Sequence, residues 1–564
     1  MHFFERRIGG KLYRIAGQAV WNASKQQSYS RQVVLGPAEV PPMMDPAATR
    51  KVGTRRVGDM GALVWVAEQL DVAGIVDRAC GVATTDKSPS MGEMVLAVAV
   101  QRACAPGAKR DLANFLEGSV ARVSCLPSKA FSGQAFHRLA TRVTSEALEQ
   151  AQIALARAAV ERFELSTSVL AFDTTNFDTH IATTTGGQLA RRGHAKSKRS
   201  DLRVVGLGVL VSETGHVPLL HRTYPGNNSD QRVLEECLEG LGRLHDALDA
   251  GEGRRRPAQR TLVRDGGSWG ERLELELDVT GYFTLISLPL GHKASTNALE
   301  RAARPRVMRK LSRPLRGVRA ARMTERVGAL KRTLVVVESK ELLQGQKRGI
   351  AAALRKAKAE LRTLQRRAAT GRIDRPALER GVQKALAREH LAEFVVAVIA
   401  GSDEAPTLNW HVDAVRRRKM ERSRLGKRVL STDRHLWRTE QIVQAFRGQS
   451  NVEELFRRSK KGGIVAWGPS FQWTDASLRL HTFATVLGLM LVSLAKIALG
   501  TKQSARAMMR SLAAIDATLV RTVTGAMGRR PTIMLAPELT AEQAKAARVF
   551  ELERWFPSLL STRV

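Results

Sequence analysis

The sequence predicts an α/β fold in which a mixed sheet with flanking helices is interrupted by an inserted, mainly helical domain. After residue 166, apolar runs of strand length alternate with helical stretches, in the order of three strands, a helix, a strand, a helix and a strand. Such an alternation is typical of a mixed sheet with helices packed on it. Residues 339–370 then place apolar side chains close to a heptad, which predicts one long helix.

Changes in composition divide the 564 residues into five segments, enough for several buried cores. We expect an N-terminal arm and helical domain at 1–160, either a DNA-binding module or a plain scaffold. The sheet domain follows in two parts, at 161–300 and 431–500, on either side of an insertion domain at 301–430. The terminal segment, 501–564, is expected to be helical. The apolar run within 481–496 is too short for a bilayer span and predicts a buried helix, so no membrane partner is expected.

The charge balance indicates a polyanionic partner. Lys and Arg number 90 against 54 Asp and Glu, a net charge of +36. An excess of this size in a folded chain favours phosphate neutralisation and counterion release. Ribosomal, histone-like, recombinase and nuclease classes all remain open, whereas acidic membranes fit less well. The four cysteines show no C-x-x-C spacing, so neither a zinc site nor a disulfide framework is predicted, and a reducing cytoplasm is expected.

Two aspartates each follow an apolar run of strand length. Asp173 ends the run LAFD and Asp265 ends the run TLVRD. An acid at the end of such a strand projects from the carboxyl edge of the sheet, where open α/β sheets hold their sites. Two carboxylates brought together there would repel one another unless a divalent cation lay between them, and Mg²⁺ prefers oxygen ligands. Taken singly, each aspartate also fits a turn or a cap.

Glu453 lies in the amphipathic stretch 446–460 and has two interpretations. Ser450-x-x-Glu453 has the spacing of a capping box. Alternatively, Glu453 supplies a third carboxylate, with Arg457 four and Lys460 seven residues further along the same helical face. Local sequence leaves both open.

A basic run and three tryptophans are candidates for nucleic-acid contact. The run has five cations in nine residues and no acid: Arg191, Arg192, Lys196, Lys198 and Arg199. We expect it to contact the DNA backbone, with a solvated loop as the alternative, and residues 416–419 form a second basic run. Trp410, Trp467 and Trp473 fit either base stacking or a protein core.

The order of a strand-end Asp, a second strand-end Asp and a late helical Glu resembles the DDE transposases of bacterial insertion sequences. The similar branch, the insertion-sequence-four-like superfamily, carries a Tyr-x2-Arg-x3-Glu-x6-Lys motif. Glu453 and Lys460 keep its spacing, while Phe446 stands at the tyrosine position and Gln449 at the arginine position. Segments 191–230 and 263–289 also resemble blocks of this family, and the resemblance is weakest over 301–400 and the C-terminal tail.

The resemblance implies a ribonuclease-H-like core and a defined chemistry. Asp173, Asp265 and Glu453 would bind two Mg²⁺ ions, with Mn²⁺ as a substitute, for in-line displacement at phosphorus. Water would free a 3′-hydroxyl at the end of the element, and this hydroxyl would attack target DNA. Lys460 and Arg457 would hold phosphates near the end. The implied partners are double-stranded DNA, both terminal inverted repeats and target, and a second copy of the chain in a homodimer. The implied location is the bacterial cytoplasm, at the nucleoid.

Two other functions fit the same residues. One is an inactive or domesticated sequence-specific DNA-binding protein, and the other is a ribonuclease-H-like nuclease without strand transfer. Inverted repeats flanking the reading frame would favour the transposase over both.

Overall fold

The computed structural model describes residues 1–22, 27–38, 49–82, 85–251, 258–388, 390–522 and 532–559. The strands are β1 (His2–Ile8), β2 (Lys11–Asn22), β3 (Gln27–Pro37), β4 (Thr49–Arg56), β5 (Val169–Thr179), β6 (Arg203–Ser212), β7 (Pro218–Pro225), β8 (Arg260–Arg264), β9 (Tyr282–Leu288), β10 (Arg309–Lys310), β11 (Val318–Val327), β12 (Leu330–Ser339), β13 (Val395–Gly401), β14 (Pro406–Val412), β15 (Lys427–Thr432), β16 (Asp516–Thr522) and β17 (Thr532–Leu535). The α-helices are α1 (Gly58–Gln69), α2 (Val72–Cys80), α3 (Met91–Cys104), α4 (Leu112–Glu117), α5 (Gly133–Ala140), α6 (Ser145–Phe163), α7 (Asp230–Glu235), α8 (Leu238–Gly251), α9 (Glu271–Asp278), α10 (Lys293–Ala302), α11 (Lys340–Ala369), α12 (Arg375–Leu386), α13 (Ala414–Arg424), α14 (Thr439–Arg447), α15 (Ser450–Ser459), α16 (Asp475–Leu499), α17 (Ala505–Ala513) and α18 (Ala541–Val549).

The chain forms two compact units, built from non-contiguous segments. Unit 1 comprises Met1–Leu262, Glu276–Tyr282 and Gly448–Val564, and unit 2 comprises Val263–Leu275 and Phe283–Arg447. Both units mix sheets and helices, so the fold is mixed α/β as the sequence predicts. The predicted succession of strands and helices from β5 to β9 is also confirmed, except that the single helix predicted between β7 and β8 is divided into α7 and α8.

Helix α16 lies at the centre of unit 1. Its side chains are buried almost continuously from Ser477 to Ala495, and it packs against α1, α3 and β7. By length and composition α16 could cross a membrane, and it is the one helix among the described residues that meets this test, yet 78% of its most apolar window is buried. The structure therefore confirms the buried helix predicted for 481–496.

The sheet of unit 1 that carries β5 has the order β8-β5-β6-β7. β5 pairs antiparallel with β6 along nearly its whole length, from Leu170 opposite Ser212 to Thr179 opposite Arg203. β6 continues antiparallel to β7. On the other side of β5, the amide of Thr261 in β8 donates to the carbonyl of Ser168 at 2.9 Å. The β5 strand is thus paired on both sides.

The two ends of the chain contain strands where the sequence predicted an arm and helices. β1, β2 and β3 form an antiparallel sheet, and β4 pairs with β16, which also pairs with β17. Gly9 and Gly10 both adopt positive φ and close a tight turn that puts Ile8 opposite Lys11. A Gly-Gly pair between two strand-length runs is a hairpin signal, which outweighs the polar, basic composition of this segment.

Unit 2 combines an antiparallel sheet with a helical hairpin. Its strands follow the order β10-β11-β12-β15-β9. The predicted long helix is α11, whose apolar face packs with α12 and the β13–β14 hairpin around Ala357, Leu361 and Phe394. The sequence predicts two strands around a basic turn for residues 408–432, but α13 lies between β14 and β15. Asp413 caps α13 by accepting the amides of Val415 and Arg416, each at 2.9 Å, so a short N-cap signal starts a helix in the basic run.

Candidate functional site

Asp173 lies in the middle of β5, not at its end. The strand continues six residues beyond Asp173, to Thr179, and the expectation of a strand-end acid is wrong at this position. Thr174 and Thr175 continue the strand, because threonine is β-branched and favours extended backbone. Asp173 is half-buried within a strand whose neighbouring side chains are mostly buried.

Polar contacts fix the backbone around Asp173. The amide of Thr174 donates to Oδ1 of Asp173 at 2.7 Å, and the hydroxyl of Thr174 donates to Oδ1 of Asp230 at 2.5 Å. The Tyr224 hydroxyl donates to the carbonyl of Thr175 at 3.3 Å. Burial raises the pKa of Tyr224, and the nearby charges of Asp230 and Asp173 raise it further. The phenol therefore stays neutral beside the carboxylates.

The predicted basic run is held against β5. The Asn176 side chain donates to the carbonyl of His194 at 2.8 Å and accepts the amide of Lys196 at 3.0 Å. The ammonium of Lys196 donates to the carbonyl of Thr174, one residue from Asp173. Lys196 is thus placed next to the candidate carboxylate, a position that the run alone did not indicate.

The other members of the run have separate surroundings. Arg191 is bonded to the side chain of Gln188 and forms an isolated bridge with Val204. Arg192 and Lys198 are exposed. Arg199 pairs with Asp201 through two contacts of 2.7 and 2.5 Å, and this pair raises the pKa of Arg199 and lowers that of Asp201 to about 2. The run is acid-free only to residue 199, since Asp201 lies two residues beyond it.

Glu453 lies on α15, which packs on β5 and β6. Val452, Leu455 and Phe456 are buried on one side of the helix, whereas Glu453 is exposed. Gln449, not Ser450, occupies the N-cap, and its side chain makes no capping hydrogen bond. The capping-box interpretation is therefore wrong, because Ser450 is already the first helical residue.

Lys460 and Arg457 do not share the environment predicted for one helical face. The helix ends at Ser459, and Lys460 is its C-cap residue in an extended conformation. Arg457 is exposed and pairs with Glu454. The seven-residue spacing from Glu453 to Lys460 therefore extends past the end of the helix, and Lys460 does not lie on the helical face that carries Glu453.

Lys460 interacts electrostatically with Lys196 and Asp173, and all three residues belong to unit 1. The pKa of Lys460 is lowered, first by partial burial and then by the charge of Lys196, while Asp173 and Asp178 raise it. Asp178 lies further along β5 and accepts the hydroxyl of Ser197 at 2.7 Å. Lys460 is thus within electrostatic range of Lys196, Asp173 and Asp178. Of the predicted site residues, this arrangement joins Asp173, Lys196 and Lys460.

Asp265 directly follows β8, at the strand end predicted for it, and is the N-cap residue of a short 3-10 helix at Gly266–Ser268. Asp265 is exposed. Its backbone carbonyl accepts hydrogen bonds from the amide and the hydroxyl of Ser268, at 3.1 and 2.8 Å. A side chain at Gly266 would collide with the carbonyl of Ser287. The Asp-Gly-Gly sequence therefore allows the chain to turn tightly while leaving the carboxylate in solvent.

The donor chemistry of the three predicted acids suits a hard cation, since carboxylate oxygens are the ligands that Mg²⁺ takes. Within the described ranges, no group of three or more His, Cys, Asp or Glu side chains is positioned to hold a metal ion. Metal binding by Asp173, Asp265 and Glu453 thus rests on the chemistry of the donors.

A buried basic cluster behind β5 was missed by the sequence analysis. Arg102 donates to the carbonyls of Ala466 and Gly468 at 2.8 and 2.7 Å, and Lys109 lies 3.0 Å from Nδ1 of His481. These partners are separated by more than 360 residues, so no local signal reveals them. The cluster supports Trp467, whose ring stacks on Phe177 of β5 with centroids 4.9 Å apart.

The predicted tryptophans divide by burial. Trp467 is 2% exposed and belongs to the core, Trp410 packs at the edge of the core of unit 2, and Trp473 is 70% exposed. Only Trp473 of these three presents most of its ring to solvent.

Comparison with known proteins gives little further constraint. No protein-family model matches the chain, and no curated protein matches it. Among solved structures, the chain is similar to the piggyBac transposase synaptic complex with hairpin DNA, at 10% identity and a TM-score of 0.37, over 82% of this chain and 81% of that one. This TM-score is too low to assign the two chains to one fold.

Proposed function

We propose that this protein is a DNA transposase that cleaves phosphodiester bonds at the ends of its mobile element and transfers the 3′-hydroxyl ends to target DNA. Asp173, Asp265 and Glu453 are its proposed metal ligands, for two Mg²⁺ or Mn²⁺ ions. Double-stranded DNA is the proposed substrate, and two copies of the chain are proposed to bring the ends together. This assignment follows the family that the sequence resembles.

The neighbourhood of Asp173, Lys196 and Lys460 is the observation that supports the proposal best. The sequence resemblance selects Asp173 and Lys460, which are 287 residues apart in the sequence. In the structure, burial lowers the pKa of Lys460 and the charge of Asp173 opposes this shift. The strand order β8-β5-β6-β7, with α7 and α8 between β7 and β8, supports the ribonuclease-H-like core. The packing of α15 on β5 supports a role for Glu453 near the same strand.

The residues of the chain have distinct roles in this mechanism. Lys460 and Lys196 bind non-bridging oxygens of the phosphate and orient it beside Asp173, because an ammonium is a compact point charge with several donors. Partial burial and the charge of Lys196 lower the pKa of Lys460, and a phosphate bound by both ammonium groups would relieve their repulsion. When bound, divalent ions supply activation of the attacking oxygen and stabilisation of the leaving oxygen.

The test uses a linear DNA fragment that carries the reading frame with its flanking sequence. The wild-type protein in Mg²⁺ is expected to bind, cut and join this fragment. Asp173→Asn should bind with unchanged affinity but not cut. Asp178→Asn is the matched control, because it removes the same charge from the same strand near Lys460. This variant should still cut. Chelation of Mg²⁺ should stop cutting and leave binding intact.

The outcomes separate the three candidate functions. Binding without any cutting by the wild-type protein would favour the non-catalytic DNA-binding protein. Cutting without joining would favour the nuclease. Metal-independent cutting, or equal loss in Asp173→Asn and Asp178→Asn, would overturn the proposed assignment.

A further inference from the structure

The long helix α11 of unit 2 presents a row of arginines along one face. We name Arg348, Arg355, Arg362 and Arg366 the α11 stripe. Their spacings of seven, seven and four residues place them on one side of a helix. All four are exposed. At about 1.5 Å rise per residue, successive members from Arg348 to Arg362 lie about 10.5 Å apart, and the whole stripe spans about 27 Å.

The opposite face of α11 is fixed in the core of unit 2. Ile350, Ala357 and Leu361 are at most 2% exposed and belong to one cluster with α12 and the β13–β14 hairpin. The stripe is therefore carried by a packed helix and not by a loop. Its geometry is set before any partner arrives, so little conformational entropy is lost when a partner binds.

The α11 stripe is not neutralised within the part of the chain that the structure describes. Between residues 342 and 369 the sequence has one acid, Glu360, and this residue pairs with Arg388 at 3.0 Å. No stripe arginine has an ion pair among the described residues. Neighbouring Lys347, by contrast, pairs with Glu421 at 3.4 Å.

Uncompensated arginines on a helix are unfavourable without a partner. Like charges at i and i+4, such as Arg362 and Arg366, destabilise a helix by mutual repulsion. A polyanion removes that repulsion, and guanidinium groups bind phosphate oxygens in a bidentate way. A membrane surface fits less well, because a helix that lies on a bilayer buries its apolar face there, and the apolar face of α11 is already in the core.

We propose that the α11 stripe binds the phosphate backbone of duplex DNA, as a contact outside the residues assigned to cleavage. This inference rests on the proposed function for its partner. The stripe covers about 27 Å, or roughly eight base-pair steps at about 3.4 Å each. It adds affinity without reading sequence, since phosphate contacts carry no base information.

The test compares two triple variants of the full chain that each lose three positive charges from unit 2. The stripe variant is R348Q/R355Q/R362Q. The control variant replaces three arginines that already have acid partners, at 3.1, 3.7 and 3.0 Å: R301Q/R319Q/R375Q. The probe is a fluorescent random-sequence duplex of about 40 base pairs, titrated between about 50 and 200 mM salt. Circular dichroism checks that both variants keep the helical content of the wild type.

The stripe variant is expected to lower the slope of log K against log salt by up to about 2.7, since each phosphate contact contributes about 0.9. The control should change this slope by less than about 0.9, which is the contribution of one phosphate contact. Equal losses in both variants, or no loss in the stripe variant, would overturn the stripe assignment. So would loss of binding to phosphatidylserine vesicles with no change on DNA.

The same titration separates this inference from the proposed function. If the wild-type protein does not bind duplex DNA, the partner in both proposals is wrong. If it binds and cuts DNA but the stripe variant keeps the wild-type slope, only the stripe is wrong. If the slope falls but the wild type never cuts, the stripe stands and the catalytic proposal fails.

Discussion

Lys109→Met tests the buried contact that supports the core behind β5. Lys109 is 4% exposed, and its Nζ lies 3.0 Å from Nδ1 of His481 and over the ring of Phe136. Nε2 of His481 lies 2.8 Å from the carbonyl of Trp467, which only accepts, so Nε2 carries the proton and Nδ1 accepts from Lys109. Burial, with the charge of Arg102, lowers the pKa of Lys109 to about 7.

The magnitude follows from linkage between protonation and folding. Unfolded Lys109 holds its proton up to its ordinary pKa of 10.5, whereas folded Lys109 loses it at about 7. Between these values the unfolded chain binds more protons, so the free energy of unfolding rises with pH. The slope is about 1.4 kcal/mol per pH unit, and the full difference is at most about 5 kcal/mol. Below about pH 6 both states are protonated and the contribution is flat.

The assay is urea unfolding of the wild type and of Lys109→Met from pH 6 to pH 9, followed by tryptophan fluorescence. The wild type should gain stability relative to the variant by about 1.4 kcal/mol per pH unit above pH 7. Lys129→Met removes an exposed lysine from the same region and serves as the control. A difference between wild type and Lys109→Met that does not vary with pH would refute the reasoning.

Three further changes test other parts of the structure. Lys460→Ala should weaken duplex binding and lower the salt slope by about 0.9, and an unchanged slope in fluorescence anisotropy would remove Lys460 from the phosphate contacts. Asp201→Asn should release Arg199 for DNA, tighten binding and raise the slope by up to about 0.9; weaker binding in the same titration would contradict the role of that pair. Leu361→Ala should cost about 2–5 kcal/mol in the free energy of unfolding of unit 2, and a loss below about 1 kcal/mol in urea unfolding would contradict the packing of α11.

The sequence predicted elements well where periodicity was long or strands were uniformly apolar. The long helix α11, the buried helix α16 and the succession from β5 to β9 follow from such patterns. Asp265 lies at a strand end and Glu453 on a helix, as predicted. These features depend on local propensity and burial, which neighbouring residues express directly.

Two errors concern where strands form and where they end. Asp173 was expected to end its strand, yet the strand continues to Thr179, paired with β6 on one side and β8 on the other. The Gly9–Gly10 turn joins two strands of a sheet in a segment that was expected to be an arm. In both cases strand pairing, which composition does not show, decided the structure.

Long-range contacts were beyond prediction from one sequence. Lys109 and His481 are separated by 372 residues, and neither has a motif that indicates the other. The placement of Lys196 beside Asp173 depends on Asn176 holding the loop against β5. A buried cation and a loop contact of this kind follow from tertiary packing alone.

Binding of Mn²⁺ in the absence of DNA tests the central claim most directly. Isothermal titration of the wild type, Asp173→Asn, Asp265→Asn and Glu453→Gln measures the ligand set without depending on catalysis, with Asp178→Asn as the control. The proposed ligand set predicts that each of the three variants loses Mn²⁺ affinity at least about tenfold, or about 1.4 kcal/mol, while the control keeps it. Wild-type affinity and stoichiometry in all three variants would contradict the claim.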